Sequence, residues 1–229
     1  MSDSHSVRVN GIRLAYRRFG APQSPPVVLL HGLGETSANW DEIATVLAAD
    51  HAVYALDLRG HGNSDRTDSY GLAAMRDDVI GFLALLQLSP VALIGHSMGG
   101  VVAYLVAQEW PAAISRLVLE DPLPPLPSDP PRAVPPRPEG PLEFDWAAVE
   151  ALMPERNDPP EQWWTRLSEI TAPTLVLGGG PDSHIPQDRL AKLAERIPDA
   201  RLCTIAAGHY IHNGRPQEFL AEVRPFLNG

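Results

Sequence analysis

Gly95-His96-Ser97-Met98-Gly99 sets a serine between two glycines at the end of an apolar run, Val91 to Ile94. That spacing suits a nucleophile, because a hydroxyl thrown out at the tip of a tight strand-to-helix turn leaves no room for side chains two residues to either side. A serine hydroxyl attacks poorly at neutral pH, so it requires a base within hydrogen-bond reach and a third group to orient that base. Among the eight histidines, His209 lies in Ala207-Gly208-His209, directly after the last expected strand and before the closing helix that Pro216 starts. The orienting acid should come from another strand end, and Asp182 follows Thr174-Leu175-Val176-Leu177 through a glycine-rich turn. Asp121, ending Leu117-Val118-Leu119-Glu120, is the alternative acid. Ser97, Asp182 and His209 would together perform acyl transfer through a covalent serine intermediate.

The elements needed to position these groups are legible as alternating patterns. Val7 to Val9 and Ile12 to Arg18, joined at Asn10-Gly11, read as an antiparallel hairpin, since that dipeptide readily takes the positive backbone angles of a tight turn. Short apolar runs follow at Val27 to Leu30, Ala52 to Leu56, Val91 to Ile94, Leu117 to Leu119, Thr174 to Leu177 and Arg201 to Ile205. Helix-period segments lie between them, such as Leu72, Met75, Val79, Phe82 and Leu86, or Val101, Val102, Leu105 and Val106. The alternation implies an α/β fold: a doubly wound, mostly parallel sheet with helices on both faces.

One interval breaks the rhythm. Pro122 to Pro141 holds ten prolines in twenty residues, and proline removes backbone donors and is excluded from helix interiors, so the stretch must run extended over the surface. Two short helices are expected after it, one with Asp145 as N-cap and one with Asp158 as N-cap and Pro159 in the first turn. The division is therefore a core of residues 1–121 and 169–229 with a proline-rich lid insertion, 122–168, over the carboxyl edge of the sheet, where open α/β sheets bind ligands. Trp146, Trp163 and Trp164 are the candidate substrate-binding residues of that lid, with Met153 beside them.

With these motifs in this order, the chain resembles the α/β-hydrolase superfamily, in which nucleophile, acid and histidine follow one another along the sequence. His31-Gly32-Leu33-Gly34 is similar to its oxyanion loop, and Asp57-Leu58-Arg59-Gly60-His61-Gly62-Asn63-Ser64 to the loop after the next strand. Leu175 to Pro186 and Ala207 to His212 resemble its acid and histidine loops. The resemblance implies an oxyanion hole made by the backbone N–H groups of Leu33 and Met98. It also implies a serine hydrolase of carboxylesterase type, acting on an ester, thioester or lactone, because members that open epoxides or remove halogens carry aspartate where Ser97 stands. Two other readings stay open: a lyase or carbon–carbon hydrolase using the same Ser–His pair, and a ligand-binding member without turnover.

The remaining histidines of the glycine-rich loops, His31 and His61, are expected to bond backbone groups near the oxyanion hole. His96 is expected to be a spacer on the face opposite Ser97, and Asp57 and Arg59 to fix their own loop. His209 and His212 lack the acidic helix of a metal site, so no metal ligand and no cofactor is expected. The formal charge of -10 disfavours phosphate backbones and anionic membrane surfaces. Partners are therefore a small acyl substrate and water, with no nucleic acid and no membrane. Cys203 is the single cysteine, which forbids an internal disulfide. Met1 to Gly11 lacks a basic segment followed by an apolar one, and the expected location is cytoplasmic.

Overall fold

The computed structural model describes residues 3–229. Asn10 and Gly11 both take positive φ, 50° and 83°, and join β1 (Asp3–Val9) to β2 (Ile12–Phe19), pairing Val9 with Ile12 across the turn. Mirror-image turn angles of this kind match the right-handed twist of the strands they connect. The chain continues through β3 (Pro26–Leu30), α1 (Asp41–Leu47), β4 (Ala52–Leu56), α2 (Leu72–Leu85), β5 (Val91–His96), α3 (Met98–Glu109) and β6 (Ile114–Glu120). After β6 come α4 (Ala147–Asn157), α5 (Glu161–Thr165), β7 (Thr174–Gly178), α6 (Gln187–Arg196), β8 (Ala200–Thr204), α7 (Ile211–Gly214) and α8 (Pro216–Asn228).

The eight strands form one sheet in the order β1-β2-β4-β3-β5-β6-β7-β8. β1, β2 and β4 pair antiparallel, and the rest are parallel. Because successive strand residues point to opposite faces, Val28, Leu30, Leu93, Leu117, Leu119 and Val176 pack into the core under α2, α3 and α6. Val27, Leu29, Ile94, Val118, Leu175 and Leu177 pack into the other, under α1 and α8 with Trp40 and Phe219. A strand buried on both faces reads as a continuous apolar run, which is why the central strands were visible in sequence.

Between β6 and β7 the chain leaves the sheet. From Pro122 to Glu143 it has neither helix nor strand, and its end is pinned to the loop after β4 by Gly62 N–H on the Glu143 carbonyl and Asp145 N–H on the Gly60 carbonyl, both 2.7 Å. The Asp145 carboxylate accepts from the N–H of Ala147 at 3.1 Å, serving the first turn of α4. The second helix starts later than the sequence suggests, at Glu161 behind Pro160 instead of at Pro159. No helix among the described residues is long and apolar enough to cross a membrane.

Candidate active site

Ser97 sits between β5 and α3 with φ 50° and ψ -114°, a left-handed conformation that costs a non-glycine residue about 1–3 kcal/mol and persists only where its surroundings enforce it. The enforcement is visible. The Ser97 N–H donates to the Glu120 carbonyl at 2.9 Å, and its own carbonyl accepts from Val101 at 3.1 Å. A Cβ on Gly95 would strike the backbone of Gly99, and one on Gly99 would strike the carbonyls of Leu30 and His31. The two glycines therefore allow α3 to press against the ends of β3 and β5 while the serine is forced outward into a cavity.

His209 lines the same cavity as Ser97. Its Nδ1–H donates to Oδ2 of Asp121 at 2.7 Å, with the Asp121 side chain fully buried and that of His209 only 10% exposed. Nε2 makes no hydrogen bond to a described residue and is left to the cavity. Asp121 follows β6, and its N–H donates to Leu177 at 2.8 Å. Its carboxylate also accepts from the Gly179 N–H at 3.0 Å, from Gln187 Nε2 at 3.3 Å and from the Ser183 hydroxyl. Burial alone would push the Asp121 carboxyl up, but the bonds from His209, Ser183 and Gly179 outweigh it and hold the pKa below the usual carboxylate range.

The structure brings Asp121, and not Asp182, to His209. Asp182 is exposed and makes no bond to His209. The β7 loop supplies donors, Gly179, Ser183 and Gln187, to the carboxylate that follows β6. Register explains it: Glu120 pairs with Leu177, which sets Asp121 beside Gly178 and under the histidine loop, whose Ala207 and Gly208 both bond the Gly179 carbonyl.

The loop His31-Gly32-Leu33-Gly34 is tied down by neutral histidines. His31 donates from Nδ1 to the Gly32 carbonyl at 2.8 Å and accepts the Leu58 N–H on Nε2 at 2.9 Å. His61 donates from Nδ1 to the Arg59 carbonyl at 3.0 Å and accepts the Gly34 N–H on Nε2 at 3.2 Å. Burial first, and then the neighbouring His31, lowers the His61 pKa to about 3, which keeps the acceptor nitrogen unprotonated. The N–H groups of Leu33 and Met98 have no partner among the described residues.

Sequence reasoning missed a buried ionic layer beneath these loops. Glu35 Oε2 accepts from the Gly32 N–H at 2.6 Å and from His96 Nδ1 at 2.8 Å, while His96 Nε2 donates to the His209 carbonyl at 2.9 Å. Both ring nitrogens of His96 face acceptors, so the ring is an imidazolium. Desolvation opposes that charge, but Glu120 and Glu35 overcome it and raise the pKa to about 9. A matching balance leaves Glu35 at about 2: burial raises it, and the hydrogen bond and charge of His96 bring it down. Glu120 in turn accepts from His212 Nδ1 at 2.8 Å, and His212 stacks on Trp40 with centroids 4.0 Å apart. His96 is thus no spacer but a brace between the oxyanion loop and the histidine loop. The available signal was Glu35 itself, an acid directly after the glycine-rich His31-Gly32-Leu33-Gly34. Asp57 and Arg59 do fix loops, with separate partners: Asp57 holds the Ser37 and Asn63 N–H groups, and Arg59 forms a two-bond pair with Asp78 of α2.

The cavity encloses about 800 Å³, its open mouth included. Leu33, Met98, Val101 and Tyr104 line it from the core; Leu123, Leu152, Arg156 and Trp163 line it from the segment after β6. Of the three tryptophans expected there, only Trp163 reaches it. Trp164 is rotated about 100° around a single-turn helix and packs on the core edge. Trp146, just before α4, lies near Phe144, away from the cavity.

A family model described as alpha/beta hydrolase fold matches residues 25–150, from β3 through the elbow into α4. The chain belongs to the alpha/beta hydrolase family. Among relatives of this hydrolase, the mouse sn-1-specific diacylglycerol lipase ABHD11 is 26% identical over 249 residues, covering 89% of this chain and 81% of its own. An uncharacterized Mycobacterium tuberculosis protein is 38% identical over 112 residues, which cover 48% of this chain but 32% of that one. The solved structure of a hydrolase from Pseudomonas aeruginosa superposes with a TM-score of 0.86 at 27% identity, over 99% of each chain.

Proposed function

We propose that the protein is a serine hydrolase that cleaves a carboxylic ester, thioester or lactone through a covalent acyl-enzyme. The observation that carries this reading is the buried Asp121 carboxylate on His209 Nδ1, with His209 and the outward-forced Ser97 sharing one cavity. In this reading Ser97 Oγ attacks the carbonyl carbon as His209 Nε2 takes its proton. Asp121 fixes the tautomer that leaves Nε2 basic and stabilises the imidazolium formed. The N–H groups of Leu33 and Met98 hold the developing oxyanion, each worth about 3–4 kcal/mol of barrier where such donors have been removed. His209 then returns the proton to the departing alcohol or thiol, and water repeats the sequence on the acyl-enzyme. The residues 122–168 act as a lid whose Trp163 and Leu152 wall the acyl site. The family membership and the lipase name of the mouse relative support ester cleavage.

A fluorophosphonate probe with 4-nitrophenyl butyrate turnover tests the reading. Covalent labelling that is lost in Ser97→Ala, together with nitrophenol release, is the expected result. Wild-type protein that neither labels nor turns over any ester would instead be a binding member of the fold.

A further inference from the structure

The cavity holds a cationic side chain that the hydrolytic machinery does not use. Arg156, in the last turn of α4, lines it together with Ser97 and His209. Its carbonyl accepts from Ser128 at 3.4 Å, but its half-buried guanidinium makes no hydrogen bond or ion pair with any described residue. Two other arginines that are partly or fully buried, Arg59 and Arg166, are by contrast paired with acids: Arg59 with Asp78, and Arg166 with Glu109 and Glu169. Burial lowers the Arg156 pKa and Arg132 lowers it further, with no carboxylate acting in the opposite direction. Glu155 also lines the cavity, yet its Oε2 accepts from the Leu72 N–H at the start of α2, 2.9 Å away. His184, beside His209, is held at about 4 by burial and then by repulsion from His209, Arg132 and Arg156, so it stays neutral and the positive charge on this wall belongs to the arginines.

A guanidinium taken partly out of water without a partner is costly unless a ligand supplies the missing charge. In a chain of net charge -10, with many carboxylates to spare, a cavity-lining guanidinium to which none is bonded, the neighbouring Glu155 being turned to Leu72, marks this side chain as reserved for substrate. We propose that Arg156 is a specificity residue that binds a carboxylate of the substrate, so that the ester delivered to Ser97 is an acidic one, a half-ester of a dicarboxylic acid or an ester of a carboxylated alcohol. The inference rests on the serine-hydrolase reading above. The guanidinium offers the planar two-donor edge that a carboxylate fits, and the apolar walls at Leu33, Leu72 and Val101 accommodate the short chain between carboxylate and scissile carbonyl.

The test compares 4-nitrophenyl butyrate with two acidic analogues: the mono-4-nitrophenyl ester of glutarate, charged in the acyl group, and 5-butyryloxy-2-nitrobenzoate, charged in the leaving group. The expected result is a kcat/KM for one acidic ester roughly 10- to 100-fold above the neutral one, the ratio collapsing in Arg156→Gln and partly kept in Arg156→Lys. Ratios at or below one for both analogues, or a ratio unchanged in Arg156→Gln, overturn the proposal while leaving the hydrolase reading intact. A second measurement is independent of turnover: calorimetric binding of glutarate to Ser97→Ala protein, lost in Ser97→Ala/Arg156→Gln. Binding that is absent in the first protein, or equal in both, overturns the assignment even if no ester is cleaved.

Discussion

The floor and the roof of the cavity are held by different forces. On the floor, charged and polar side chains interlock over long sequence distances. Glu35 joins the oxyanion loop to His96, His96 joins the histidine loop, Glu120 joins His212, and Asp121 gathers His209, Ser183, Gln187 and Gly179. The roof is a proline-rich strap followed by α4 and α5, tied to the core by separate hydrogen bonds such as Tyr70 to Asp145 and Gln108 to the Trp163 carbonyl, and its α4 carries the Arg156 guanidinium to the cavity without a partner among the described residues. The difference teaches a division of labour. Groups that must keep a fixed geometry are locked by buried ion pairs, whose low-dielectric surroundings make misplacement expensive. The surface proposed to select a ligand is left with unspent hydrogen-bonding capacity.

The largest effect should come from breaking the floor at Asp121. Asp121→Asn is expected to lower kcat by roughly 10³- to 10⁴-fold, because an amide can no longer hold the tautomer that leaves His209 Nε2 basic. Asp182→Ala should stay within about twofold, since a substitution at an exposed site without such a contact has little to disturb. Steady-state kinetics on one ester compares the pair, and the opposite ranking would restore Asp182 as the acid.

Next comes the ionic layer. Glu35→Ala leaves the His96 imidazolium without its hydrogen-bonded partner and the Gly32 N–H unsatisfied, so a stability loss of about 3–5 kcal/mol is expected by denaturant unfolding. An equivalent loss from Asp188→Ala, an exposed acid of α6, would show that the layer is not special.

The same layer should set a pH signature. His96 has a folded pKa raised from 6.5 to about 9, so its contribution to stability is full below about 6.5 and is lost as pH rises through 9. Glu35 is lowered from 4.5 to about 2, so its contribution is present above 4.5 and is lost as pH falls toward 2. The pair is therefore strongest between about 4.5 and 6.5. His96→Gln should flatten the decline in stability between pH 6.5 and 9, measured as unfolding midpoints across pH. The groups facing His96 are Glu35, Glu120, His209, Tyr210 and His212, and a decline that persists in His96→Gln would overturn its assignment to His96.

The smallest effect separates the roof residues. Trp163→Ala, which opens a cavity wall, should raise KM several-fold, whereas Trp146→Ala should change it by less than about twofold. Equal effects would show that the roof acts as a single unit.

The parallel strands and the Asn10-Gly11 hairpin were readable because their causes are local: apolar runs long enough for a strand, and a dipeptide suited to positive φ. The elbow at Ser97 was readable for a similar reason, since its glycines answer a clash within a few residues. Asp121 and Asp182 could not be ranked in this way. Both follow strands that end at the same sheet edge, and the choice depends on the β6–β7 register and on which loop passes beneath His209. His96 lies one residue from the serine, yet its role depends on Glu35, which is 61 residues away.

By itself, the sequence determined a doubly wound sheet, a strained serine at its edge, a histidine loop to face it and a proline-rich segment unable to join the sheet. Local sterics and hydrophobic periodicity suffice for each of these. Only the tertiary structure decided which carboxylate meets His209, which tryptophan reaches the cavity and which arginine lines it without a partner. Those outcomes depend on distances between segments far apart in the chain, where a shift of one strand register or 100° of helix rotation exchanges one residue for another.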